Sequence, residues 1–222
     1  MSTRIFPLVC LALLAAVAAR ADPPTDAEAR YQALLATAQN GGPNVDWGVL
    51  RRAYSERPGF KVFEQNPAKR RMFVAAGAQN CVDALPAAKE VLADRFIDSD
   101  AHMIAAFCED VAGQAALASR DREIGAGLVK SMQTAGDGLT PATAFNVIDV
   151  DEEYSLMRAL GLKLDDQALI HDGGHAYDAL TTVDPAGRKA TYFVLVDKVL
   201  AAESAALAPG SVSEGGPPGR SP

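Results

Sequence analysis

Two periodicities divide the chain. Up to about Ala135 the apolar residues recur every three or four positions, as amphipathic helices require. From Phe145 onward they alternate or gather in short β-branched and aromatic blocks, the pattern of strands. The stretch Ala135 to Tyr154 joins the two halves.

In the helical half, Asp26 to Gln39 carries Tyr31, Leu34, Leu35 and Ala38 on one face, and Asn40-Gly41-Gly42-Pro43 stops it. Asp46 caps a second helix lined by Val49, Leu50 and Tyr54 and broken at Arg57-Pro58-Gly59. From Ala68 the spacing predicts paired antiparallel helices. Met72, Phe73 and Ala76 line one; Val82, Leu85, Ala88 and Leu92 line the next, with Asp83 as cap and Pro86 in the first turn. Ser99 or Asp100 caps a third, whose apolar positions are Met103, Phe107 and Val111, and a fourth carries Ile124, Leu128, Val129 and Met132. A faint repeat of about 34 residues, the tetratricopeptide length, sets Asn80 on Gln114, Ala78 on Ala112 and Ala84 on Ala118.

In the second half, Gly136-Asp137-Gly138 is a turn by composition and Thr140-Pro141 caps a short helical turn. Phe145 to Val150 reads as a buried strand, and Asp151-Glu152-Glu153 opens a helix with Tyr154, Met157 and Leu160 as its apolar positions, ended by Gly161. Strands follow around Ala168 to Ile170, Tyr177 to Val183 and Ala190 to Val196, the last two a hairpin across Asp184-Pro185-Ala186-Gly187. Lys198 to Leu207 adds a final helix. The expected fold is α+β: an N-terminal helical-hairpin, tetratricopeptide-like array over 22–135, then a small, mostly antiparallel sheet with one helix over 136–208, packed on the array. The segment 209–222, rich in Pro, Gly and Ser, reads as a disordered tail.

Composition narrows the compartment. Arg4, the apolar run Ile5 to Ala19 and the Ala19-Arg20-Ala21 site ahead of Asp22 read as a secretory signal peptide over 1–21, too short for a good membrane span. The whole chain has a net charge of −7; losing Arg4 and Arg20 with the signal leaves −9, which repels nucleic acid and anionic lipid. A periplasmic or secreted, soluble protein without stable membrane insertion follows as the expectation. At 49% hydrophobic and 22% charged residues the rest is globular. Signal removal also leaves an even pair of cysteines, Cys81 and Cys108, which antiparallel neighbouring helices would bring together as a disulfide; two buried thiols are the alternative.

Gly136-Asp137-Gly138, Ala144-Phe145 with Val147-Ile148, Glu152-Glu153-Tyr154, Gly161-Leu162, Gln167, Tyr177-Asp178 and Tyr192-Phe193 occur in an order that resembles the bacterial family called domain of unknown function 4919. Asp46 to Tyr54, with Leu50-Arg51 and Ala53-Tyr54, extends the likeness upstream, so that it covers roughly Tyr31 to Val196. The resemblance implies an exported bacterial protein and little chemistry.

His171-Asp172-Gly173-Gly174-His175 sets two imidazoles and a carboxylate within one turn, with Asp178 beyond, a donor set suited to zinc or a similar divalent ion. Its spacing matches no helical zinc motif, and polar His-rich turns are commonly only solvated. Glu152 and Glu153 could bind or serve as acid or base, but adjacent helical residues point about 100° apart, and first-turn carboxylates are favoured by the helix dipole alone. Asp137 could bind a cation, although an Asp between glycines is what a tight turn needs anyway. Tyr154 is expected in the core. No phosphate loop, serine elbow or dinucleotide fingerprint is present. The expected function is a binding or protein-interaction module for a protein or peptide partner, with no cofactor; the alternative is a metal-dependent envelope hydrolase.

Overall fold

The computed structural model describes residues 25–41, 44–63 and 65–207. The expected signal peptide and tail lie outside these residues. Among them the chain forms helices α1 (Asp26–Gln39), α2 (Trp47–Ser55), α3 (Pro67–Gly77), α4 (Cys81–Asp94), α5 (Ser99–Val111) and α6 (Ala115–Met132), then strand β1 (Phe145–Asn146), helix α7 (Val150–Ala159), strands β2 (Lys163–Asp172), β3 (His175–Val183) and β4 (Lys189–Leu195), and helix α8 (Asp197–Leu207). The fold is α+β.

Side-chain caps fix most of the helix starts. Thr25, Asp46, Asn66, Asn80, Asp98 and Asp149 each accept a hydrogen bond from a backbone amide in the first turn of the helix that follows. Two of these caps fall upstream of the expected ones: Asn80 rather than Asp83 starts α4, and Asp98 rather than Ser99 or Asp100 starts α5. Pro86 consequently sits beyond the first turn, inside α4. It is exposed, and the helix runs on past it to Asp94.

The sheet has the order β1-β4-β3-β2, with β1 parallel to β4 and the other pairs antiparallel. Gly173 and Gly174, both at positive φ, form the two-residue turn between Asp172 and His175. Asp184 closes the β3–β4 loop by accepting from the amides of Ala186 and Arg188, both at 2.9 Å. The buried strand expected over Phe145 to Val150 is only two residues long, because Asp149 caps α7 and turns the chain into helix at Val150.

Buried side chains cross from helices to sheet. Met132 of α6 packs with Phe145, Leu156, Leu180 and Val194, and Ile148 packs with Leu50, Ile97 and Leu128 of the helical half. The seam between α3, α4 and α5 is different in kind: Ala68, Ala75, Ala84, Ala87, Ala88, Ala101 and Ala105 fill it, with Met72 and Val91 as its larger members. Small residues let these helices approach closely, and Cys81 and Cys108 are joined as a disulfide across the α4–α5 contact with their Cα atoms 5.2 Å apart.

That alanine seam decides which face of α5 is outside. Its buried residues are Ser99, Ala101, His102, Ala105, Ala106, Cys108 and Glu109, while Met103, Phe107 and Val111, the expected core stripe, are exposed. A related correction applies to α7. Tyr154 is 39% exposed and Leu160 is also at the surface; the buried positions are Glu152, Glu153, Ser155, Leu156 and Met157. Arg51, from a distant part of the chain, turns Glu152 inward, and Glu153 is buried beside it without a cation.

Candidate functional site

On α5, residues 103, 107 and 111 fall four apart and so share one face. Because alanines hold the opposite face against α3 and α4, this face is presented outward, and Met103 (43% exposed) and Phe107 (53% exposed) have no core to enter. Met103 lies against α6 at Gly125, where a Cβ would come within 3.0 Å of its Sδ. Around Met103 the helices α3, α5, α6 and α7 leave a groove of about 800 Å³. Phe73, Met103, Ile104 and Val129 supply its apolar lining, and Asp100, Lys130 and Arg158 its charges.

The charged groups are held differently. Asp100 accepts from Arg158 through Nε at 3.1 Å and Nη2 at 2.5 Å, and from Ser155 Oγ at 2.5 Å. The Arg158 guanidinium also lies over the Phe73 ring, 5.0 Å from its centroid. That clamp fixes α7 to α5 and α3 and gives one wall of the groove a rigid cation. Lys130, exposed on α6, has no side-chain partner among the described residues. A smaller groove of about 540 Å³ between α3 and α4 is also charged, but there Arg71 and Glu90 pair with each other at 2.6 Å.

Beneath the joint between helices and sheet, a polar network orients α7. The Arg51 guanidinium donates to both Glu152 oxygens, at 2.7 and 2.5 Å, and further to Asn146 O at 2.8 Å and Ser131 Oγ at 3.1 Å. Glu152 also accepts from the Ile148 amide at 2.9 Å. Arg95 pairs with Asp149 at 2.5 Å, and Lys69 with Asp98 at 2.7 Å and Asp151 at 3.1 Å. Glu152 is thus a buried structural partner rather than a solvated carboxylate.

Glu153 has no such cation. It is 2% exposed and faces Asp178 of β3, whose carboxylate accepts from Gln167 Nε2 at 2.7 Å. Burial, then the charge of Asp178 and its hydrogen bond, with Asp149 and Glu203 adding to them, push Glu153 up to about 8. Glu153 therefore keeps its proton at neutral pH and donates it to Asp178. The two residues are brought together, Glu153 buried and Asp178 half-buried.

The remaining candidates lie apart from these. Asp137 is exposed in its turn and accepts from the Leu139 amide at 3.1 Å and Thr143 Oγ1 at 2.9 Å, contacts that hold it below the usual carboxylate range. His171, Asp172 and His175 sit exposed at the tip of the β2–β3 hairpin, Asp172 opposite His175. His175 Nδ1 meets Asp197 of α8 at 2.6 Å instead of a shared ligand position, and among the described residues no three His, Cys, Asp or Glu side chains are grouped to hold a metal ion. The third histidine escaped sequence reasoning. His102 is buried, with Nε2 2.7 Å from the Phe96 carbonyl, to which it must donate, and Nδ1 2.6 Å from Asp121. Both its ring nitrogens are occupied in tying α5 to α6 and to the chain before it.

The outward face of α5, of which Met103 reaches the groove, was missed for a different reason. Met103 and Phe107 were visible as an apolar stripe, but the competing stripe of Ala101, Ala105 and Cys108 on the same helix marks the face that is buried.

Among the described residues no helix is long and apolar enough to cross a membrane. No curated protein and no solved structure matches the chain. The model of one family, described as a domain of unknown function (DUF4919), matches residues 49–204, which takes in α3 to α7, the groove they form and the whole sheet. The chain therefore belongs to the DUF4919 family.

Proposed function

We propose that this protein is exported by its bacterial host and works in the periplasm or outside the cell as a binding module, holding a segment of a partner protein in the groove of α3, α5, α6 and α7. The observation that carries the reading is Met103, held outward on α5 at the groove. With Phe73, Ile104 and Val129 it gives a groove of about 800 Å³ an apolar lining that is costly in water unless something covers it. A concave apolar lining with a few fixed polar groups is the usual form of a recognition site. Export is supported by the signal-like pattern of residues 1–21 and by the disulfide, a bond characteristic of oxidising compartments.

Two experiments test the parts separately. N-terminal sequencing of the protein from its own host should begin at Asp22, and an intact Met1 on released protein would defeat the export reading. For the groove, a partner retained by the immobilised protein should be lost with Met103→Glu and kept with Leu169→Glu, a matched change at an exposed position on β2. Equal retention by both variants would remove the groove from the interaction.

A further inference from the structure

The groove's charges indicate what kind of segment enters it. The chain as a whole is acidic, at −7, yet the charged residues lining the groove are one acid and two bases, Asp100, Lys130 and Arg158. The acid is already used. Asp100 is held by Arg158 and by Ser155, and its side chain is only 11% exposed. Arg158 engages Asp100 through Nε and Nη2, which leaves Nη1 for an acceptor from outside the chain. Its position is fixed in advance by Asp100 on one side and the Phe73 ring beneath, so ordering it for a ligand costs little further entropy. Lys130 adds a second cation with no partner among the described residues.

Resting on the groove reading above, we propose that the bound segment is an acidic amphipathic peptide. Its apolar side chains cover Phe73, Met103, Ile104 and Val129, and its carboxylates meet Lys130 Nζ and Arg158 Nη1. A basic segment would set its charge against Lys130, and the Asp100–Arg158 pair, neutral as a whole, offers it no free carboxylate, so the site selects by repulsion as well as attraction.

The test is selection from a random peptide display library on the purified protein, on Lys130→Glu and on Met103→Glu. Each protein is checked for an unchanged melting temperature, which the exposure of both positions leads one to expect. The wild type should enrich amphipathic sequences with Asp or Glu beside the apolar positions, and those peptides should bind Lys130→Glu about tenfold more weakly, the effect of turning a weakly screened attraction into repulsion. Selection on Lys130→Glu should lose the acidic bias. Wild-type peptides that lack an acidic bias, or bind Lys130→Glu equally well, would overturn the proposal while leaving the groove as a binding site. Peptides that bind Met103→Glu as well as wild type, or no enrichment at all, would overturn the groove reading itself. Self-association abolished by Met103→Glu would put a second copy of the chain in the groove and defeat the acidic-peptide proposal.

Discussion

Replacing Glu153 by Gln should make the protein more stable in alkali and remove the share of its stability loss up to about pH 8 that Glu153 causes. A glutamate ordinarily releases its proton at 4.5, whereas the buried Glu153, facing Asp178, holds it to about 8. Between those values the folded protein binds one proton more than the unfolded chain, so stability must fall as pH rises. The contribution is complete below pH 4.5, declines through about 8 and is flat beyond. At roughly 1.4 kcal/mol for each pH unit, the gap amounts to on the order of 5 kcal/mol, and relaxation or water entry around the ionised pair would reduce it to a few. The amide of Glu153→Gln stays neutral and can still donate to Asp178. Urea unfolding followed by circular dichroism at pH 5, 7 and 9 measures the difference directly. At pH 5 the variant should equal the wild type or fall slightly below it, and at pH 9 it should exceed it by about 2–4 kcal/mol. Parallel pH profiles for the two proteins would mean that Glu153 ionises normally and is not perturbed by burial and Asp178.

Phe145→Ala should destabilise by about 3–5 kcal/mol, since the ring is 1% exposed and stacks on Tyr192, while Tyr154→Ala at the surface should cost under about 1 kcal/mol, both read from urea midpoints. Arg51→Met would strand Glu152 in the interior and should cost about 3–5 kcal/mol, with much of the loss recovered in the double variant Arg51→Met/Glu152→Gln. Reducing the Cys81–Cys108 bridge, which spans a sequence separation of 27, should lower stability by about 3–4 kcal/mol in the chain-entropy model, and alkylation without reductant should label neither cysteine in exported protein.

Much of the architecture could be read locally because local chemistry sets it. Thr140-Pro141, Asp46, the breakers around residue 41 and at Pro58, and the Gly173-Gly174 turn all act within a few residues of where they stand. The disulfide could be anticipated from the antiparallel run of two neighbouring helices. Burial on α5 and α7 could not, because partners distant in sequence decide it. Glu152 looks like a solvated first-turn carboxylate until Arg51, 101 residues away, is placed beside it. Met103 and Phe107 look like core until the alanines of α3 and α4 claim the other face of their helix. β2 illustrates a third limit. It is ten residues long, far longer than the run around Ala168 to Ile170 suggested, because an edge strand exposed along most of its length has no buried face to impose alternation.

Photo-crosslinking in the native host decides whether the groove of α3, α5, α6 and α7 holds a partner segment. A photoreactive residue is placed at position 103 in one version of the protein and at position 169 on the exposed edge strand in another. A discrete crosslinked partner is expected from position 103, absent from position 169 and displaced by the acidic peptides selected on the purified protein. The same adducts from both positions, or none from position 103, would contradict it.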